Sequence, residues 1–279
     1  MNRSFRVTHI TLQTASHLLL LLGVATMVLP LLWMFLTSFK PPVEVNIWPP
    51  RLFPQQWTLE NYMLAFQRAP LFHFLLNSLI VSIAGTIAIL LTSAAAGYVF
   101  AKYDFPGREV IFVAILATIM IPLEAYIVPF YTQVARWRLL DTMVGLALPN
   151  LIASSGIFFM RQHILSIPDA LIDAARIDGA SEFYIFGRII LPLSFSALSV
   201  LGIFMFMFIW TAFLWPLMIT NSTQIMTMEL GLTFFQSMFT IEYGPMMAAS
   251  TIAVLPMLIV FVVLRQHVIE SIAITGLRG

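Results

Sequence analysis

Apolar residues fall along this chain in six long runs, separated by shorter polar or proline-rich stretches. A membrane-spanning helix needs about 20 predominantly apolar residues. Segments at about 15–38, 75–101, 110–131, 143–160, 195–220 and 245–264 meet that requirement. The pattern predicts an all-α membrane protein with six transmembrane helices, forming one domain over residues 1–279. Pro30, Pro122, Pro129, Pro149, Pro216 and Pro256 lie inside these runs. Each removes a backbone donor and kinks its helix. In lipid the freed carbonyls need partners on neighbouring helices or water in a cavity. A single proline reads as an ordinary packing kink. Kinked spans throughout the chain point instead to a bundle that encloses a cavity or must bend.

Composition agrees with the pattern. Charged residues make up 10% of the chain and mean hydropathy is +0.93, whereas soluble domains carry about 25% charged residues. A net charge of +1 offers no basic footprint for nucleic acid. Without cysteine, disulfides, thiolate metal sites and cysteine nucleophiles are excluded. The short basic start leads into an apolar run longer than a signal-peptide core, so the first run reads as a retained span.

Lys and Arg in the loops set the orientation. With the N-terminus inside, the inner segments hold Arg3, Arg6, Lys102, Arg108, Arg161, Arg176, Arg188, Arg265 and Arg278, against Lys40, Arg51, Arg68, Arg136 and Arg138 outside. The bias places both termini in the cytoplasm. The longest outer segment, from Lys40 to Phe74, is rich in proline and carries Trp48 and Trp57. It reads as a stiff segment at the membrane interface, with a short helix over Trp57–Phe66 capped by Thr58.

The stretch DALIDAARIDGASEFYIFGRIILPLS, Asp169–Ser194, interrupts the apolar pattern on the cytoplasmic side. Pro168 and Asp169 resemble a helix start. Ile167, Leu171, Ile172 and Ala175 then recur at helical spacing. Gly179 breaks the helix, and a second short helix runs through Phe183, Phe186, Ile189 and Ile190 before Pro192 opens the fifth span. Periodicity alone leaves two readings open: a solvated connecting loop, or a partner site whose apolar face is rimmed by charge. A position on the solvated rim would make Glu182→Gln mild.

Asp173, Ala174, Ala175, Asp178, Gly179 and Ala180 form D-A-A-x-x-D-G-A, with Leu191-Pro192 downstream. This resembles the E-A-A-x-x-D-G-A signature of ATP-binding-cassette importer permeases of the carbohydrate-uptake type. The closest likeness is to the second permease of that class, which includes maltose and glycerol-3-phosphate systems. Six spans and the closing TGLRG, similar to the family's G-x-K/R-G, extend the resemblance along nearly the whole chain. Asp173 departs from the family's glutamate and shortens the reach by one methylene. The resemblance implies that 167–192 is a coupling helix-turn-helix that docks on an ATPase subunit. It also implies a second homologous permease, an ATPase dimer, an extracytoplasmic solute-binding protein and a bacterial inner-membrane location. ATP and Mg would be bound by the ATPase, with no cofactor on this chain.

The sequence speaks against other classes. A P-loop needs G-x-x-x-x-G-K-[ST], yet Lys40 and Lys102 follow Phe39 and Ala101. No H-E-x-x-H occurs for a zinc protease. Gly179-Ala180-Ser181 only superficially suggests a rhomboid-like protease, since Glu182 follows. A stand-alone ion-coupled transporter would use embedded ionisable residues and often repeats, and here Glu124 is the lone candidate. For a sugar-like solute, aromatic faces and hydrogen-bonding groups nominate Glu124, Tyr126, Asn150, Trp210, Thr211 and Phe213. Related permeases often carry asparagine where this chain has Thr211. Each of these residues also has a plain structural reading, as helix packing, an interface anchor or an ion pair.

Overall fold

The computed structural model describes residues 3–236 and 242–276, with side chains at 13, 16–236 and 242–266. The expected Arg3, Arg6 and Arg278 side chains and the closing Leu277-Arg278-Gly279 lie outside the described residues. Helices form wherever apolar runs dominate, because a backbone without water must satisfy its own donors and acceptors. Among the described residues, three helices are long and apolar enough to cross a membrane unaided. Three bent helix pairs raise the number to six if each pair is one span.

The chain divides into two compact units. The first comprises residues 1–69 and 232–252 and contains α1 (Arg3–Ser38) and α2 (Glu60–Arg68). The segment after α1 is a built substructure. The Lys40 Nζ donates to Arg51 O at 2.6 Å and lies 4.4 Å from the centre of the Trp33 ring. Asn61 Nδ2 donates to Ser38 O and Lys40 O at 3.1 and 2.7 Å. Phe39 packs between Trp57 and Tyr62. The short helix starts at Glu60 with Leu59, and not Thr58, at its N-cap; Thr58 Oγ1 stands one residue earlier and accepts from the Glu60 N–H at 3.1 Å.

The second unit comprises residues 70–231 and 253–279. Its axis is α3 (Leu71–Lys102), against which α7 (Ser154–Leu165) and α10 (Phe195–Trp210) pack. Small residues permit this close approach. A Cβ at Gly97 would lie 2.8 Å from Met160 Cβ and 2.9 Å from the Arg161 nitrogen. Around the axis run α4 (Arg108–Ala117), α5 (Leu123–Arg136), α6 (Met143–Ala147), α8 (Asp169–Ile177), α9 (Glu182–Ile185) and α11 (Leu214–Ile219). The last helix, α12 (Tyr243–Gly276), contributes its residues from 253 onward.

Three of the helical runs break near a proline. The run 108–136 turns by 99° at Ile121-Pro122, and 143–165 bends by 46° after a 3-10 turn containing Pro149. α10 stops at Trp210 and resumes as α11 with Pro216 in its first turns. By contrast, Pro30, Pro129 and Pro256 sit inside continuous helices. A further bend of 75° separates 182–193 from 195–210. Pro192 therefore lies in the helical run before the bend, and the long apolar helix begins at Phe195. A π-helical turn over Phe186–Ile190 precedes the proline, with Leu191 N–H bonded to Phe186 O. This wider turn accommodates the donor that Pro192 lacks.

Candidate functional site

The segment 167–192 is ordered by its own cap chemistry. The Gly179 N–H donates to Arg176 O and the Ala180 N–H to Ala175 O, both at 3.0 Å. This is the paired Schellman arrangement that closes a helix around a left-handed residue. Gly179 has φ +78° and open space where a Cβ would stand. Its requirement is thus conformational, with no steric component from its own chain. Ser181 then starts the next helix, its hydroxyl accepting from the Tyr184 N–H at 3.3 Å. Asp178-Gly179-Ala180-Ser181 therefore reads as stop, turn, contact, start. Ala175 and Ala180 are half-buried against the same apolar cluster. Asp173, Ala174, Asp178 and Gly179 face outward.

The apolar face of this segment is largely covered by its own unit. Ile167, Ile172, Ile185 and Ile190 are buried in one cluster with Tyr98, Met160 and Ile164. Ile177 and Phe183 instead stand 86% and 90% exposed at the turn. Phe183 thus leaves the buried face on which its helical spacing put it. The short helix turns about Gly179, so one apolar stripe does not continue across the break.

Charge fastens the segment to the end of α3. The Lys102 Nζ, with its side chain only 5% exposed, donates to Ile167 O and pairs with Asp169, both at 2.6 Å. Glu182 is a hub. Its Oε1 accepts from Arg176 Nε at 2.8 Å, and its Oε2 accepts from the Tyr98 hydroxyl at 3.0 Å and from the Tyr103 hydroxyl. Asp173 reaches Arg176 only at 3.5 Å. The Arg176 guanidinium and then the Tyr103 hydroxyl hold the Glu182 carboxyl down to about 2. Glu182 in turn raises the Arg176 guanidinium, while burial and Glu182 raise the Tyr103 phenol. Glu182 is therefore engaged by three donors and is not a free charge on a solvated rim. Sequence spacing gave no sign of this, since Tyr98 and Glu182 are 84 positions apart.

The second candidate region lies where the helical runs break. A cleft of about 640 Å³ is lined by Glu124, Tyr126, Asn150, Thr211 and Phe213. A neighbouring cleft of about 540 Å³ adds Thr118, Ser154 and Ser155, the Thr118 and Ser154 hydroxyls meeting at 2.8 Å. Five of the six nominated path residues thus share one cleft. Glu124 stands in the first turn of α5, where the helix dipole favours a negative charge. Thr211 Oγ1 donates to Met207 O at 2.9 Å, leaving its oxygen free to accept from a bound group. Trp210 stands apart from the cleft lining. It is 2% exposed, stacks on Phe206 and donates from Nε1 to Ala253 O at 3.1 Å. Trp215, one of the lining residues, is likewise committed to packing, with Phe130 at 4.7 Å and Gly145 O as its acceptor at 3.1 Å. No group of His, Asp and Glu suited to a metal ion occurs among the described residues.

Comparison with known proteins adds ancestry to this geometry. Residues 89–273 match the family described as binding-protein-dependent transport system inner membrane component. The arabinooligosaccharides transport system permease protein AraQ of Halalkalibacterium halodurans is 34% identical over 255 residues, covering 90% of this chain and 91% of its own. The diacetylchitobiose uptake system permease protein NgcG of Streptomyces coelicolor is 31% identical, with coverage of 92% and 86%. The sn-glycerol-3-phosphate transport system permease protein UgpE of Rhizobium meliloti is 31% identical, with coverage of 93% and 95%. In fold, the chain resembles one from a crystal structure of a bacterial ABC transporter involved in import of the acidic polysaccharide alginate. That match has a TM-score of 0.83 at 20% identity and covers 96% of this chain and 99% of that one.

Proposed function

This chain belongs to the family of binding-protein-dependent transport system inner membrane components, and from that premise we propose how it works: as the permease subunit of an ATP-driven importer for a sugar or sugar-like solute. The observation that carries this reading is the double role of α3. Its middle, at Val81 and Ile89, borders the two clefts, and its end, at Tyr98 and Lys102, is fastened to the turn-forming segment. One helix therefore spans the distance between a solute-sized cavity and a docking surface.

In this reading Asp173, Ala174, Ala175, Asp178, Gly179 and Ala180 form the contact with an ATPase subunit. The exposed Ile177 and Phe183 supply the apolar part of that contact. Closure of an ATPase pair moves the segment, and α3 carries the movement to the cleft. Solute arrives from an extracytoplasmic binding protein and passes between this permease and a second, homologous one. The chain carries no P-loop for nucleotide chemistry, and in this reading ATP and Mg belong to the partner. In this reading both termini face the cytoplasm of a bacterial cell, the side that the Lys and Arg bias favours. The cleft offers Tyr126 and Phe213 as apolar faces and Asn150, Thr211 and Glu124 as hydrogen-bonding groups. That mixture suits a hydroxyl-rich solute.

The test is reconstitution into proteoliposomes with a partner ATPase, a second permease and a solute-binding protein. Uptake of a labelled oligosaccharide should require ATP and every component. Uptake by this chain alone under a proton gradient would overturn the reading.

A further inference from the structure

From the convergence of two tyrosines and an arginine on one carboxylate, we infer that Glu182 is a positioning residue that locks the turn of the coupling segment to the end of α3. The inference rests on the coupling role proposed above and deepens it by naming the joint through which movement passes.

The two sides of the joint come from distant parts of the chain. Tyr98 belongs to the last turns of α3, and Tyr103 follows the end of that helix at Lys102. Arg176 belongs to the last turn of α8, before the Gly179 turn, and Glu182 opens the helix after it. One carboxylate therefore ties α8, α9 and the end of α3 together. Its two oxygens divide the work: Oε1 takes Arg176 across the turn, and Oε2 takes both tyrosines. The aromatic rings stiffen the arrangement. Tyr98 and Tyr103 meet edge-on at 5.4 Å, Tyr98 packs on Phe186 at 5.7 Å, and the Arg176 guanidinium lies 5.7 Å from the Tyr103 ring centre.

Without Glu182 the segment keeps its apolar anchors, because Ile172, Ile185 and Ile190 remain buried. Apolar contacts are non-directional and allow sliding. Charge-assisted hydrogen bonds from three directed donors fix angle as well as distance. Loss of the carboxylate should therefore leave the segment docked but loosely aimed. The expected defect is in transmission, with assembly preserved.

The test uses the complete reconstituted complex with its binding protein. Three quantities are measured: ATPase subunit retained on purification, solute-stimulated ATP hydrolysis, and solute imported per ATP. Glu182→Ala should retain the ATPase normally yet lower solute imported per ATP by about fivefold or more, the scale of a typical coupling free energy. Tyr103→Phe removes only one donor and should give a smaller loss in the same quantity. Adding Tyr103→Phe to Glu182→Ala should cost little more, because its partner is already gone. Glu182→Asp should restore part of the ratio. A wild-type ratio in Glu182→Ala, or losses that simply add in the double variant, would overturn the inference. If Glu182→Ala fails to assemble, the Tyr103→Phe and Glu182→Asp ratios decide, and wild-type values in both overturn it. Gly179→Arg separates the two levels: loss of transport there with an unchanged ratio in the Glu182 series sinks the joint alone. Normal transport and ATPase retention in Gly179→Arg sinks the coupling role itself.

Discussion

The carboxylate of Glu182 is held at about 2 rather than near 4.5, chiefly by Arg176. A depressed carboxyl stabilises the fold fully above its unfolded value and loses that contribution as pH falls through the folded one. The joint at the end of α3 is therefore complete throughout the physiological range and weakens only between about pH 4.5 and 2. Thermal unfolding of the purified complex should show a constant gap between wild type and Glu182→Gln above pH 4.5. The gap should narrow below it. Gly179 makes a different demand, since its φ of +78° is strained for most side chains although space there is open. A non-glycine residue pays about 1–2 kcal/mol in that region, and asparagine less. Gly179→Asn should then transport close to wild type while Gly179→Val loses transport, as measured by uptake at matched membrane level. A purely steric requirement would rank the two by size alone, with both impaired.

Helices meet in this protein through small residues, and α3 against α7 is one close case. A side chain at Gly97 would strike Met160 Cβ and the backbone nitrogen of Arg161. Trimming Met160 cannot relieve a clash with backbone. Gly97→Leu should therefore lower the unfolding temperature of the purified protein and its membrane level, by the 1–3 kcal/mol or more typical of overpacking. Met160→Ala should not rescue it, and rescue would show that the backbones are free to separate. The helix breaks are legible in part from sequence. Pro122, Pro149 and Pro216 sit beside them, whereas Pro30, Pro129 and Pro256 do not interrupt their helices. Proline identity alone does not separate the two groups, because a kinked helix can continue when neighbours satisfy the freed carbonyl.

For the second unit as a whole, the clefts and the coupling segment lie at different positions along α3, and their perturbations should separate. Asn150→Ala and Glu124→Gln change the cleft lining and leave the segment untouched. Both should change solute uptake while ATPase retention stays at wild type. Gly179→Val should change coupling with the cleft intact. If the cleft variants instead lost the ATPase, the division of labour along α3 would be wrong. Linkage adds a reciprocal expectation: whatever solute does to nucleotide affinity, nucleotide must do to solute affinity by the same factor.

Much of this protein could be read before its helices were placed. Runs of about 20 apolar residues have few fates besides a helix, because lipid offers no partner for bare backbone. Asp178-Gly179-Ala180-Ser181 could be seen as a turn because its chemistry is local, closed by bonds over a few residues. Five of the six path candidates could be nominated from side-chain type, and they line one cleft. The remainder depended on long-range packing. Trp210 has the side chain of a sugar platform, yet its indole N–H is taken by Ala253. Phe183 has helical spacing, yet it projects outward because the turn at Gly179 resets the face. Glu182 looks like one more loop charge until α3 brings Tyr98 and Tyr103 to it. Period and cap chemistry are properties of neighbours in sequence. Which donor meets which acceptor across some 80 positions is decided only when the helices pack.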